Sequence, residues 1–156
     1  MTNDTTFRIS PLDADTLDRV RTSGIDASGH PAEHLTAAGG EPLRCCLRDA
    51  GPGESLLLFG YQPALPPSPY REVGAVFAHE AACPGATSTA YPAAWRGRPQ
   101  VLRAYDARGW IHPATCCHDG NDPEAVIAKI LADPEVVVVH SRNVSYGCLM
   151  FAITRV

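Results

Sequence analysis

The chain has 156 residues and a formal net charge of −4, with 45% hydrophobic and 19% charged residues. This length suits one domain that folds without a metal or a disulfide framework. The acidic balance, with a pI of about 5.8, argues against a protein that binds nucleic acid or anionic membranes.

The compartment can be inferred from the N-terminus and from the cysteines. The first ten residues, MTNDTTFRIS, lack the basic and then apolar pattern of a signal peptide. No apolar run approaches the roughly 20 residues that a membrane-spanning helix needs. We therefore expect a cytoplasmic protein whose cysteines are mostly free thiols. The six cysteines include two adjacent pairs: Cys45, Cys46, Cys83, Cys116, Cys117 and Cys148.

The first third of the chain predicts a strand, a helix and a loop. Residues 7–10 form the strand, and Asp13 is a suitable N-cap for a helix that Gly24 ends. Residues 25–42 are rich in Gly, Pro, Ser and Ala, which predicts an ordered loop with one helical turn at residues 32–37.

The next segment predicts a β-hairpin. Residues 43–49 alternate between apolar and polar side chains, and residues 56–61 form a continuous apolar run. The turn Ala50-Gly51-Pro52-Gly53 joins them. The four prolines in residues 63–69 exclude a central strand there, and residues 73–81 predict a further strand that carries His79.

The second half predicts two strands, two helices and a C-terminal pair of strands. We expect a short helix at residues 92–96, strands at 100–106 and 110–117, and a helix at 123–132 that is capped by Asp122. Residues 136–156 contain two apolar segments around a polar insert, which is typical of a core hairpin.

These elements together indicate an α+β fold in a single domain over residues 1–156, with its core from about residue 7. We expect one mostly antiparallel sheet of about seven or eight strands with two or three helices, because several tight turns connect the strands.

Polar side chains interrupt the apolar pattern on several strands, and an antiparallel sheet could bring them to one surface. His140 and Arg142 share one side of a strand, where they could bind an anion or let the histidine transfer a proton. Arg44 and Arg48 frame Cys46 on another strand face, and their charge would lower the pKa of its thiol. The alternative is that these groups lie in solvent or in structural ion pairs.

The candidate site divides into groups that react and groups that bind. The residues expected to transfer a proton or to attack a substrate are His79, His140 and Cys46. The residues expected to bind the ligand are Arg44, Arg48, Tyr70, Arg103, Tyr105, Arg142 and Asn143.

Two groups of possible metal ligands stand out, at His79 with Cys83 and at residues 116–119 (Cys-Cys-His-Asp). A histidine and a cysteine four residues apart can reach one metal if the strand bends. The alternative is a partly buried histidine that is hydrogen-bonded to the backbone, and we favour it. We therefore expect neither a metal nor a cofactor.

No nucleophile elbow, phosphate-binding loop or dinucleotide-binding glycine pattern is present in the sequence. The arginine and histidine pattern favours a domain that binds a small anionic or carboxylate-bearing molecule on the sheet and could act on it. A non-enzymatic interaction or sensing module that uses the same face is the alternative. The expected partner is a small anion, with no nucleic acid and no membrane.

Four stretches carry a family resemblance: RCCLRDAGPGE at 44–54, SPYREVGAVFAHE with Cys83 at 68–83, VLRAYD at 101–106, and VHSRNVSYGC with Phe151 at 139–151. With them the chain resembles a bacterial family known as domain of unknown function 1203, over most of its length from about residue 7. The resemblance implies a cytoplasmic single-domain protein and assigns no catalytic residue.

Overall fold

The structure is a computed structural model that describes residues 6–156. Residues 1–5, where the sequence lacks a signal-peptide pattern, lie outside this part of the chain. No helix within residues 6–156 has the length and apolar character needed to cross a membrane.

The first helix, α1, forms where its capping residues predicted it. It spans Ala14–Ser23, and the Asp13 side chain accepts a hydrogen bond from a backbone N–H of the first turn. Gly24 ends the helix with a φ of 70°, a left-handed conformation that glycine adopts without steric strain. Leu17 and Val20 form its buried face.

The second helix, α2, spans Pro123–Leu131 and is also capped as predicted, by Asp122. Its buried face includes Ile127 and Ile130. A short 3-10 turn at Ala93–Trp95 confirms the helix that was expected near Pro92.

Ten strands complete the described chain. In chain order they are β1 (Phe7–Ser10), β2 (Glu33–Thr36), β3 (Pro42–Leu43), β4 (Arg48–Asp49), β5 (Ser55–Tyr61), β6 (Gly74–His79), β7 (Gln100–Tyr105), β8 (Cys116–His118), β9 (Val138–Asn143) and β10 (Leu149–Arg155).

The strands form two sheets of five, so the expectation of one sheet with seven or eight strands is wrong. Sheet 1 has the order β1-β10-β9-β7-β8 and is antiparallel throughout. Sheet 2 has the order β2-β5-β6-β3-β4, and only its β3–β6 pair is parallel. The α+β class and the mostly antiparallel pairing are confirmed.

Each sheet has a buried apolar cluster of its own, and the two clusters interlock. The cluster of sheet 2 includes α1, and the cluster of sheet 1 includes α2. Leu149 of β10 packs in the cluster of sheet 2, whereas Leu47, from the turn between β3 and β4, packs in the cluster of sheet 1.

Three local predictions in sheet 2 are also wrong. Residues 33–36 form the edge strand β2 in place of a helical turn, because they pair with β5. Residues 43–49 do not form one strand, since a tight turn at residues 44–47 interrupts them. The expected hairpin between 43–49 and 56–61 is absent within the described chain, as β5 lies between β2 and β6.

The C-terminal hairpin is confirmed. β9 and β10 pair antiparallel with a register shift between Leu149 and Phe151, and both strands lie in the interior of sheet 1. The predicted strand at 110–117 is much shorter. Its end forms β8, which pairs with β7, and Ile111 adds only an isolated bridge to Tyr105.

Candidate functional site

The turn between β3 and β4 brings two adjacent cysteines together. The Leu47 N–H donates to the Leu43 carbonyl at 2.9 Å, and Leu47 has a φ of 60°, which is rare for a residue with a side chain. In a regular strand Cys45 and Cys46 would point to opposite faces. In this turn their sulfur atoms lie 3.9 Å apart.

The end of β6 adds an imidazole to the two thiols. The Nδ1 atom of His79 lies 3.4 Å from the Cys45 sulfur and 3.9 Å from the Cys46 sulfur. Cys83, in the loop after β6, joins them, and one donor atom from each of the four residues lies within 4.8 Å of all the others. We call Cys45, Cys46, His79 and Cys83 the thiol–imidazole cluster.

Glu54 and Arg48 hold the cluster in place through the second ring nitrogen of His79. The Nε2 atom of His79 lies 3.0 Å from Glu54 Oε1, and Arg48 binds both oxygens of the same carboxylate, at 2.8 and 3.0 Å. The Gly51 N–H also donates to Glu54, at 2.6 Å. The imidazole ring is therefore held with Nδ1 toward the sulfur atoms.

These contacts shift the pKa values of two cysteines, of His79 and of Glu54. The hydrogen bond with Cys46, together with burial, raises the pKa of Cys45 to about 12, and the same bond lowers the pKa of Cys46. Burial opposes the charging of His79, but its contacts with Cys83 and Glu54 raise its pKa overall. The Arg48 guanidinium holds the pKa of Glu54 far below its usual range.

A cleft of about 690 Å³ opens next to the cluster. It is lined by residues 46–48, by His79 and by most of the segment from 83 to 96. Arg96 lies on this segment, with its guanidinium carbon 5.5 Å from the centre of the Tyr91 ring and with an ion pair to Glu124. The side chains of Arg48 and Arg96 are 46% and 47% exposed, so the cleft offers two accessible positive groups.

Arg44 does not reach this cleft. It is only 2% exposed, and its guanidinium donates to the carbonyls of Leu149 at 2.7 Å and Pro42 at 2.6 Å. Burial lowers its pKa to about 10. These contacts are typical of an arginine that joins structural elements, here sheet 2 and β10.

Arg103 and Arg142 lie in sheet 1 and meet at a different carboxylate. Both form ion pairs with the same oxygen of Glu72, which is about half exposed in the segment before β6. Arg142 also donates to the Gly147 carbonyl at 2.8 Å, and it lines a small cavity of about 200 Å³. Asn143 accepts a hydrogen bond from Cys148 N and so shapes the loop between β9 and β10.

His140 and Tyr105 are buried side by side in sheet 1, with ring centres 4.9 Å apart. Within residues 6–156 neither His140 Nδ1 nor the Tyr105 hydroxyl has a hydrogen-bond partner. Tyr70 packs edge-on against Trp110, and neither residue lines the cleft.

The structure thus brings together His79, Cys46 and Arg48 and places the other candidates elsewhere. Sequence reasoning missed Cys45, Glu54 and Arg96, and it ranked a structural role for His79 above a metal-binding one. The adjacent cysteines followed by a histidine and a cysteine four residues apart were the available signal. It was weak because an alternating strand would have separated the two thiols.

Comparisons with known proteins place the cluster within a family match. Residues 40–155 match the family model described as "Protein of unknown function (DUF1203)". The match includes all four residues of the cluster and both arginines of the cleft. It begins at residue 40, so β1, α1 and β2 lie before it. No curated protein matches the chain, and no solved structure does.

Proposed function

Because the chain belongs to the DUF1203 family, as the sequence resemblance predicted, and that family is described only as of unknown function, we propose its role from the geometry. We propose that the protein binds a small molecule with a carboxylate or another anionic group in the cleft beside the thiol–imidazole cluster. The observation that carries the proposal is the pair of half-exposed arginines, Arg48 and Arg96, in one open cleft.

The size of the cleft suits a metabolite. Its volume of about 690 Å³ lies in the range of pockets that hold small molecules, roughly 300–1,000 Å³. Thr87 and Ser88 add hydroxyl groups to the lining, and Tyr91 and Pro92 add apolar surface. A molecule with an anionic end and an apolar body would match this lining of polar and apolar groups.

The two arginines are oriented for carboxylates. Arg48 binds Glu54 through both oxygens, and Arg96 pairs with Glu124. Half-exposed ion pairs of this kind contribute only about 0–1 kcal/mol to stability, so an incoming anion can compete for the guanidinium or add to the pair. Arg96 is the better anchor, because Arg48 also supports the histidine through Glu54.

The proposal includes a reducing, cytoplasmic location. Cys45, Cys46 and Cys83 lie close together without a disulfide, and the three other cysteines are also free thiols. Reducing conditions keep such thiols unpaired.

The test is a thermal-shift and calorimetric titration with succinate, citrate and phenyl phosphate. A ligand that binds the folded state raises the thermal midpoint by mass action. We expect at least one probe to stabilise the wild type, and Arg96→Gln to weaken its affinity by at least about tenfold, since a charge-assisted hydrogen bond contributes about 1.5–3 kcal/mol. Arg108→Gln is the matched control, because Arg108 also forms an exposed ion pair but lies outside the cleft.

Two results would contradict the proposal. One is the absence of stabilisation by all three anions, and the other is an equal midpoint shift in the wild type and Arg96→Gln. Turnover of a bound probe would indicate an enzyme.

A further inference from the structure

We propose that the thiol–imidazole cluster is a zinc site in which Cys45, Cys46, Cys83 and His79 bind one Zn²⁺ ion. The proposal goes beyond anion binding, since it concerns a different ligand and different donor atoms. Its basis is that four donor atoms of the types that zinc prefers lie within 4.8 Å of one another.

The distances between the donor atoms match those of a tetrahedral site. Zn–S bonds of about 2.3 Å and Zn–N bonds of about 2.0 Å imply edges of roughly 3.8 Å between sulfur atoms and 3.5 Å between sulfur and nitrogen. Cys45 and Cys46 lie 3.9 Å apart, and His79 Nδ1 lies 3.4 and 3.9 Å from their sulfur atoms. Binding therefore needs movements of only a few tenths of an ångström in this part of the site.

The support of the imidazole fits the same role. A histidine that binds a metal through one ring nitrogen usually donates its other N–H to a carboxylate or a carbonyl. His79 presents Nδ1 to the sulfur atoms and Nε2 to Glu54, at 3.0 Å. Arg48 fixes the carboxylate in turn. Glu54 would thus be a positioning residue that orients the ligand without touching the metal.

The backbone is arranged to deliver two adjacent thiols to one point. The left-handed conformation of Leu47 ends the turn that carries Cys45 and Cys46, and such a conformation is unfavourable for a residue with a side chain, by about 1–2 kcal/mol. Strain of this kind persists where the surroundings hold it, and it is common at functional sites. A metal bound by both thiols would supply such a constraint.

Three sulfurs and one nitrogen define the class of metal. Thiolates favour Zn²⁺ over Mg²⁺ or Ca²⁺, which prefer oxygen ligands. Four protein ligands complete a tetrahedral shell, which is typical of a structural site. The ion would join the turn at 44–47 to the end of β6 and the loop that follows it. Each thiol loses its proton as it binds, so zinc uptake releases protons to the solvent.

The first experiment measures metal content. Protein purified under reducing conditions without added metal should contain about one zinc per chain by elemental mass spectrometry, as expected of a single tetrahedral site. Cys46→Ser and Cys83→Ser should lose most of it. Cys117→Ser is the matched control, because Cys117 also belongs to an adjacent cysteine pair but lies in β8, outside the cluster.

The second experiment identifies the ligands by spectroscopy. Co²⁺ added to metal-free wild type should give the intense visible bands of a tetrahedral site and a near-ultraviolet sulfur-to-cobalt charge-transfer band. Cys83→Ser should weaken the charge-transfer band, and Cys117→Ser should not. Glu54→Gln should keep both bands while the zinc affinity falls about tenfold to a hundredfold, as expected of a residue that orients a metal ligand.

Two outcomes would overturn the zinc site. They are a zinc content near zero in reduced wild type and equal zinc in wild type and Cys83→Ser. Circular dichroism shows whether each variant is folded, and the cobalt titration of wild type needs no variant. Arg96→Gln should keep its zinc, so failure of anion binding and failure of the metal site can be distinguished.

Discussion

At the scale of single residues, His140 shows how burial changes a titratable group. Its ring is only 2% exposed, and its pKa falls to about 4 because burial disfavours the charged form and because Arg142 and Arg103 repel it. Its neighbour Tyr105 offers an aromatic ring and no counter-charge. At neutral pH the histidine is therefore uncharged in the folded protein.

This shift predicts a loss of stability in acid. The unfolded chain takes up the proton near pH 6.5, whereas the folded protein does so only near pH 4. Above pH 6.5 the uncharged histidine costs the folded protein no stability. As the pH falls from 6.5 to about 4, the free energy of unfolding decreases by about 3 kcal/mol in total. Urea unfolding across the window should show a flatter pH dependence for His140→Gln than for the wild type.

The matched control is His30→Gln, which changes an exposed histidine. It should retain the pH dependence of the wild type. If the free energy of unfolding of His140→Gln changed with pH as steeply as that of the wild type, other groups would cause the loss of stability in acid.

At the scale of elements, a close contact between two glycines holds the 3-10 turn against the segment before α2. The Gly97 N–H donates to the Gly120 carbonyl at 3.1 Å. A Cβ atom at Gly120 would overlap the Gly97 carbonyl carbon and would lie 2.5 Å from Arg98 N, and the residue has a φ of 95°. No other residue type fits this position without a shift of the backbone.

Gly120→Ala should therefore lower the free energy of unfolding by more than about 3 kcal/mol, because overlap with backbone adds to the strain of a positive φ. Gly147→Ala is the control, since Gly147 also has a positive φ but has no atom within 4 Å of the point that a Cβ would occupy. It should lose only about 1 kcal/mol. If chemical denaturation gave the same loss of unfolding free energy for both variants, the close contact at Gly120 would contribute little to stability.

The elements that the sequence predicted well are those with local signals. Both helices begin at an aspartate cap, and the first ends at Gly24, so a few neighbouring residues determine each boundary. The division into two sheets depends on which distant strands pair. β5 contains a clear apolar run, but nothing within it indicates that its partners are β2 and β6.

The candidate site was only partly predictable for a similar reason. Strand alternation put Arg44 and Cys46 on one open face, but the turn at 44–47 sends the guanidinium into the interior and the thiol toward His79. That turn depends on a positive φ at Leu47, a residue type that gives no such signal. His79 was found because a polar residue at the end of an apolar strand is conspicuous in a sequence.

At the scale of the whole molecule, Arg44 links the two sheets. It extends from the turn of sheet 2 to the Leu149 carbonyl of β10. The two apolar clusters are joined as well, since Leu47 of the turn packs in the cluster of sheet 1 and Leu149 packs in the cluster of sheet 2. Buried contacts of this kind couple the stability of the parts they join.

Arg44→Met should therefore destabilise the entire fold by about 3 kcal/mol, because the buried Leu149 carbonyl and the partly buried Pro42 carbonyl lose a charged donor. In a Trp110→Phe background, the fluorescence of the buried Trp95 reports on the cluster of sheet 1, and far-ultraviolet circular dichroism reports on both sheets. In this background, with Arg44 in place, the two unfolding curves should coincide. Arg108→Met, an exposed counterpart, should change the midpoint little. Separate transitions with Arg44 in place would show that the sheets unfold independently.

The position of β10 also determines the order in which the chain can fold during synthesis. All five strands of sheet 2 lie before residue 80, so they can pair while the ribosome is still making the rest. Sheet 1 must wait, because β10 inserts between β1 and β9, pairing Phe7 with Arg155. Until then β1 lacks the strand it pairs with, and an unpaired strand leaves a nascent chain open to aggregation and to chaperones.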